Sequence, residues 1–151
     1  MALTTGVKVP TNTIKVGHGP HHEILLTAEG AITPGEFVKF GTDAARVVVC
    51  AADDVACIGI ADLNYDAVLE DLDPLTHAFA ADDRVPVILT GMAVITADTA
   101  GITAGLVVRV GAADGGEGQT LAADADIRLC KGRALTTAAT TVKAVMLLGA
   151  L

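Results

Sequence analysis

An all-β domain, folded as a sandwich or a barrel, is what the sequence predicts for residues 23–151, and three observations carry that prediction. A block of turn followed by strand is written twice along the chain. The apolar material is 52% of all residues but only 3% is aromatic and Trp is absent, so the core must be built from Val, Ile, Leu and Ala. The β-branched share of that material favours strands. Short apolar runs alternate with Gly-containing turns from one end of the domain to the other, the pattern of many short strands.

The repeated block is Ile32-Thr33-Pro34-Gly35-Glu36-Phe37-Val38-Lys39-Phe40-Gly41, echoed by Ile102-Thr103-Ala104-Gly105-Leu106-Val107-Val108-Arg109-Val110-Gly111. Downstream, Cys57-Ile58-Gly59-Ile60-Ala61 is matched by Cys130-Lys131-Gly132-Arg133-Ala134, and Val87-Ile88-Leu89-Thr90-Gly91 loosely by Val145-Met146-Leu147-Leu148-Gly149. Three blocks in one order predict an internal duplication with halves at about 24–91 and 92–151. Pro34 presets φ and Gly35 admits φ > 0, so residues 33–36 suit a type II turn, and Gly105 keeps the permissive position in the second copy. After the turn, Phe37 and Lys39 point to one face and Val38 and Phe40 to the other. Lys39 and Arg109 are equivalent cations among apolar residues, which predicts strands with one buried and one wetter face.

Residues 1–22 form a segment apart, with isolated apolar residues, Pro10, Pro20 and two firm charges, Lys8 and Lys15. This composition predicts an extended N-terminal arm. Strands are then expected at 23–27, 37–40, 46–50 and 55–60, the last two as a hairpin across the loop 51–54. In that register Cys50 and Cys57 lie on a diagonal of roughly 7–8 Å, too far for a disulfide without backbone movement. With Cys130 they are read as three free thiols in a reducing compartment. Residues 62–83 form an acidic insert in the first half, with seven acids and no Lys or Arg, in which Val68, Leu69 and Leu72 line one face of a short helix ending before Pro74. Further strands are expected at 85–89 and 92–95 around Gly91, and at 127–130 and 142–148, with a long loop at 111–118.

The net charge of −8 argues against a nucleic-acid binder, because phosphate backbones need a basic surface. No apolar run reaches the ~18 residues of a membrane span, and the start of the chain shows no secretory signal, so synthesis in the cytosol is the expectation. The chain contains no Ser, and Gly115-Gly116-Glu117-Gly118 lacks the Lys-Ser/Thr of a phosphate cradle. The sharpest cluster is His18-Gly19-Pro20-His21-His22-Glu23, whose imidazoles are of the type that binds Zn²⁺ or Ni²⁺. Adjacent ligands in a Gly-Pro loop converge poorly without a scaffold, so the cluster is read as part of the arm. Asp53-Asp54 and Asp82-Asp83 lack the spacing of a calcium loop. The expectation is therefore a protein without catalytic residues, metal or cofactor.

The blocks Ile-Thr-Pro-Gly-Glu-Phe-Val, Cys-Ile-Gly-Ile-Ala, Val-Pro-Val-Ile-Leu-Thr-Gly, Ile-Thr-Ala-Gly-Leu-Val-Val and Gly-Arg-Ala-Leu, taken in order, resemble the small capsid-decoration (head-stabilising) proteins of tailed bacterial and archaeal viruses. The likeness covers about residues 24–151 and departs at the arm and the acidic insert. It implies a compact β-barrel or tulip-like domain that forms a homotrimer on the outside of a virion. There the major capsid protein would be its partner and the shell would be stabilised. Within the arm, Thr11, Thr13 and Ile14 have the propensity to add a strand to a partner's edge, and Lys8 and Lys15 suit an acidic partner face. Those five residues are the expected contact. Two other classes are a small metal-dependent β-barrel enzyme using His18, His21 and His22, and a ligand-binding or adhesive module acting through residues 62–83.

Overall fold

Type II turns start both copies of the repeated block. In the computed structural model, which describes residues 7–17, 19–122, 128 and 130–149, Glu36 N donates to Thr33 O at 3.1 Å and Leu106 N to Thr103 O at 3.2 Å. Gly35 and Gly105 sit between them at φ 91° and 84°. Each turn feeds a strand. Among the described residues the strands are β1 (His22–Ala28), β2 (Phe37–Phe40), β3 (Arg46–Val49), β4 (Cys57–Ala61), β5 (Arg84–Thr96), β6 (Val107–Val110), β7 (Gly118–Thr120), β8 (Cys130–Ala134) and β9 (Lys143–Leu148). One 3-10 helix, Tyr65–Glu70, lies between β4 and β5. The protein is all-β, as the composition predicts.

The strands hydrogen-bond in the order β1-β3-β2-β4-β5-β9-β8-β6-β7, and β1 also pairs with β5. That extra pairing closes β1, β3, β2, β4 and the first part of β5 into a five-stranded barrel. The second part of β5 continues past Gly91, which takes φ 118°, and pairs with β9 from Gly91 to Thr96. One 13-residue strand therefore serves both halves, where the sequence predicts two strands separated at Gly91.

The halves use one pairing scheme. β2 lies antiparallel between β3 and β4, and β6 lies antiparallel between β7 and β8. A bulge falls between Val38 and Lys39 in one and between Val108 and Arg109 in the other. Isolated bridges match too, Ile32 with Phe79 and Ile102 with Ala138.

Three further sequence expectations change. The 46–50 and 55–60 strands are not a hairpin, because β2 separates them. Cys50 N donates to Phe37 O at 2.9 Å, and the 51–56 turn then crosses the end of β2. The loop at 111–118 ends in β7, a strand the Gly-rich composition hides. The strand expected at 127–130 starts at Cys130; Ile127 and Leu129 lie outside the described residues.

Strand alternation sorts the core into two clusters. Val38, Val47, Ala61, Val85, Val87, Ile32 and Phe79 fill the five-stranded barrel. Phe37, Ile60 and Ile88 point the other way and join Ile95, Val108, Met146 and Leu148 in a second cluster. Phe37 and Val38 are thus both fully buried. β2 has no wet face at its start, because the second half covers the barrel's outer side there.

Candidate functional surface

The N-terminal segment is fastened to the body where the sequence leaves it free. Ile14 is fully buried in the second cluster, its carbonyl accepts from Val94 N at 2.8 Å, and Lys15 bridges to Ala93. Ile14 therefore cannot be offered to a partner. Thr13 turns its hydroxyl to the carbonyl of Lys15 at 3.1 Å. Lys8 and Thr11 are exposed.

Lys15 is the knot of this attachment. Its Nζ lies 3.1 Å from Asp62 and 3.1 Å from Glu23. Asp62 is completely buried, donates its own N–H to Pro86 O and accepts from the Tyr65 hydroxyl at 3.1 Å. Burial opposes the Lys15 charge, but the hydrogen bonds to Asp62 and Glu23 prevail and raise its pKa above the ordinary lysine value. The arm, β1 and the start of the acidic insert are joined by these four side chains. Lys15 meets the insert of its own chain.

The two equivalent cations are also used inside the molecule, and both reach the same turn. Lys39 pairs with Asp54 at 2.5 Å, and Arg109 pairs with Asp53 while its Nε donates to Val110 O at 2.8 Å. Asp54 in turn accepts from Ala51 N and Ala56 N. In the second half Asp98 is fully buried and accepts from the N–H groups of Thr99, Ala113 and Asp114. Burial works against its charge, yet those hydrogen bonds hold the carboxyl below the usual carboxylate range. These are fold-holding uses of charge.

Of the candidate ligands, His21 is occupied in the same way. His21 Nε2 is 2.9 Å from Met92 O, and His22 opens β1 opposite Thr90. His18 lies outside the described residues. Among the described residues no three His, Cys, Asp or Glu side chains are placed to hold a metal ion. All three cysteines are free thiols, Cys50 and Cys130 buried. The Cys50 thiol touches that of Cys57, and this contact together with burial pushes its pKa up. For Cys50 that is the reverse of what activates a nucleophile, whereas the same contact lowers the Cys57 pKa against its burial.

Exposed large apolar side chains also occur singly at Leu25, Phe40, Val55, Leu106 and Val142, but four of them fall together on the acidic insert. Tyr65, Val68, Leu69 and Leu72 are 50%, 59%, 86% and 41% exposed, while Ala67 between them faces inward at 2%. Asp66, Glu70, Asp71 and Asp73 surround them and are exposed. The sequence groups Val68, Leu69 and Leu72 on one face; the structure adds Tyr65 and turns these side chains outward. Periodicity locates such a stripe but cannot tell whether it is covered.

No family model matches the chain, and no curated protein matches it. Among solved structures it is similar to the N base of head fiber gp8.5 in bacteriophage phi29, with a TM-score of 0.57 and 10% identity. That likeness covers 86% of this chain and 95% of the other. At this identity it is a likeness of fold.

Proposed function

We propose that this chain is a structural virion protein that binds the outer surface of a viral capsid as a homotrimer and stabilises the shell. The observation that carries the reading is the fold shared, over most of both chains, with a phage head-fiber base. The sequence resemblance to capsid-decoration proteins points the same way independently. The use of polar groups agrees with it. Lys39, Arg109, Asp62, Asp98 and His21 are bound to other parts of the chain, so the molecule acts by surface. Stable association needs about 800 Å² per partner, and a cyclic trimer closes its interfaces without leaving filament-forming ends.

Static light scattering of the purified protein should give three times the 15.2 kDa chain mass at high concentration. A stable dimer overturns the trimer. Cosedimentation with shells assembled without this chain tests capsid binding, and the temperature at which decorated and bare shells rupture tests stabilisation. Equal rupture temperatures at full occupancy would leave binding without a clamp.

A further inference from the structure

We propose that the ridge Tyr65, Val68, Leu69 and Leu72 is the part of this protein that docks on the shell, seating in an apolar pocket rimmed by Lys and Arg. The inference rests on the capsid-binding reading and names the surface and the chemistry of its partner.

Four large apolar side chains within eight residues, all more than two-fifths exposed, form a patch of the kind that marks an interaction site. The ridge is built to be rigid. Asn64 N donates to Pro74 O at 2.9 Å and Leu72 N to Ala67 O at 2.9 Å, closing the segment on itself. Asp71 takes a left-handed φ of 59° and ends the 3-10 turn by donating to the carbonyls of Ala67 and Val68. Leu63 and Ala67 anchor it from below, and the Tyr65 hydroxyl is held by buried Asp62. A ridge ordered before binding loses little conformational freedom on docking.

Charge selects the occupant. Residues 62–83 hold seven acids and neither Lys nor Arg, and the whole chain carries −8. A second copy carries the same net −8, whichever of its faces meets the ridge. A basic-rimmed pocket on a different protein satisfies both the apolar crest and its acidic surround. The N-terminal segment, the other candidate contact, has its apolar Ile14 buried and its Lys15 paired.

The test is cosedimentation of the full chain with shells of its virus assembled without it, comparing wild type, Leu69→Glu and the pair Asp66→Lys with Glu70→Lys. Leu69 is 86% exposed, so its substitution should leave the thermal melt unchanged. Leu69→Glu is expected to weaken binding at least tenfold. The charge-reversed pair should also weaken it, and wild-type binding should fall as salt rises. Wild-type occupancy by Leu69→Glu overturns the proposal while capsid binding stands. Tighter binding by the charge-reversed pair overturns the basic rim. A fall to monomer mass in light scattering of Leu69→Glu assigns the ridge to a second copy and overturns the proposal as well. Failure of wild type itself to bind removes both this inference and the function on which it rests.

Discussion

The two halves of this protein carry one pairing scheme to different degrees of closure. In the first, β1 pairs with β3 at Thr27–Arg46 and Ala28–Val47 and with β5 over six positions, so the barrel is sealed. In the second, the matching β5–β9 pairing also spans six positions, and it is the parallel part of the closure that shortens, to a single bridge between Ala97 and Gly118. Their fillings differ as well. Where Ile32 of the first half meets Phe79, Ile102 of the second meets Ala138. The insert supplies Phe79, so it is more than an appended loop. Its outer part makes the exposed ridge and its end plugs the barrel. Extra chain in one copy of a repeated strand set has given that copy both a larger side chain at this bridge and a surface to present.

Replacing Phe79 by Ala makes the first half resemble the second at this bridge and should have the largest effect. Phe79 is 2% exposed within the barrel cluster, and truncation of such a residue costs about 3–5 kcal/mol. Urea unfolding measures it. A loss under about 1 kcal/mol would mean that the barrel collapses onto the gap, and that the contrast in filling is of no consequence.

Gly91 joins the halves, and Gly91→Ala tests whether that joint is conformational. Its φ of 118° is a region that side-chain-bearing residues rarely enter. An added Cβ would also fall 2.5 Å from the His21 ring. Backbone strain of this kind costs about 1–3 kcal/mol. His21→Ala in the same background should relieve the clash and leave the strain. Full rescue by His21→Ala would show that the φ is not required.

Two carboxylates near the 111–118 loop should respond to pH in opposite senses. Asp98 has a folded pKa below its unfolded value, so its contribution is present above the ordinary carboxylate range and is lost as pH falls. Asp98→Asn should cost about 1–3 kcal/mol near neutrality, because a neutral amide satisfies fewer of the three N–H donors. That cost should shrink in acid. Glu36, in the first half's turn, is pushed up by burial, and neighbouring Asp114 adds to the rise although Thr33 N–H opposes it. Its folded form favours the proton, so it destabilises above its folded pKa and ceases to do so as pH falls. Glu36→Gln should raise the neutral melting temperature and lose that gain on acidification. Parallel pH profiles for the two variants would contradict this assignment.

Much of this was legible in residues. The Thr33–Glu36 and Thr103–Leu106 turns and the strands after them follow from Gly35, Gly105 and the alternation around Lys39 and Arg109, while the bulges at Val38/Lys39 and Val108/Arg109 do not. Strand order was not. A four-residue loop between apolar runs reads as a hairpin, and local sequence carries no sign that β2 will enter between β3 and β4. The attachment of Ile14 was hidden for a related reason, since an isolated apolar residue in a Thr- and Gly-rich segment shows no period. Its burial depends on β5 being there to receive it. Removal of residues 2–17 should therefore lower stability, by the loss of Ile14 and of the Lys15 partner of buried Asp62. Nor does sequence say which face of the 65–72 segment is covered, because exposure is settled by what the rest of the fold places beside it.

The smallest effect is expected at Lys39, and its difference from the equivalent cation Arg109 sharpens the comparison most finely. Lys39 keeps 30% of its side chain exposed, and its partner Asp54, only 8% exposed, retains the N–H donors of Ala51 and Ala56 when the cation is removed, so Lys39→Met should cost about 1 kcal/mol. Arg109 keeps 10%, and its guanidinium serves both Asp53 and the carbonyl of Val110. Arg109→Met leaves that buried carbonyl without its charged donor, which costs about 1.5–3 kcal/mol. Asp53 is 58% exposed and returns to water, so its release adds little. Sodium chloride at about 1 M should reduce the Lys39 difference more than the Arg109 difference, because Lys39 is the more exposed cation. Equal costs and equal salt responses would show that the second half binds its cation no more deeply than the first. The two positions would then be equivalent in energy as well as in sequence.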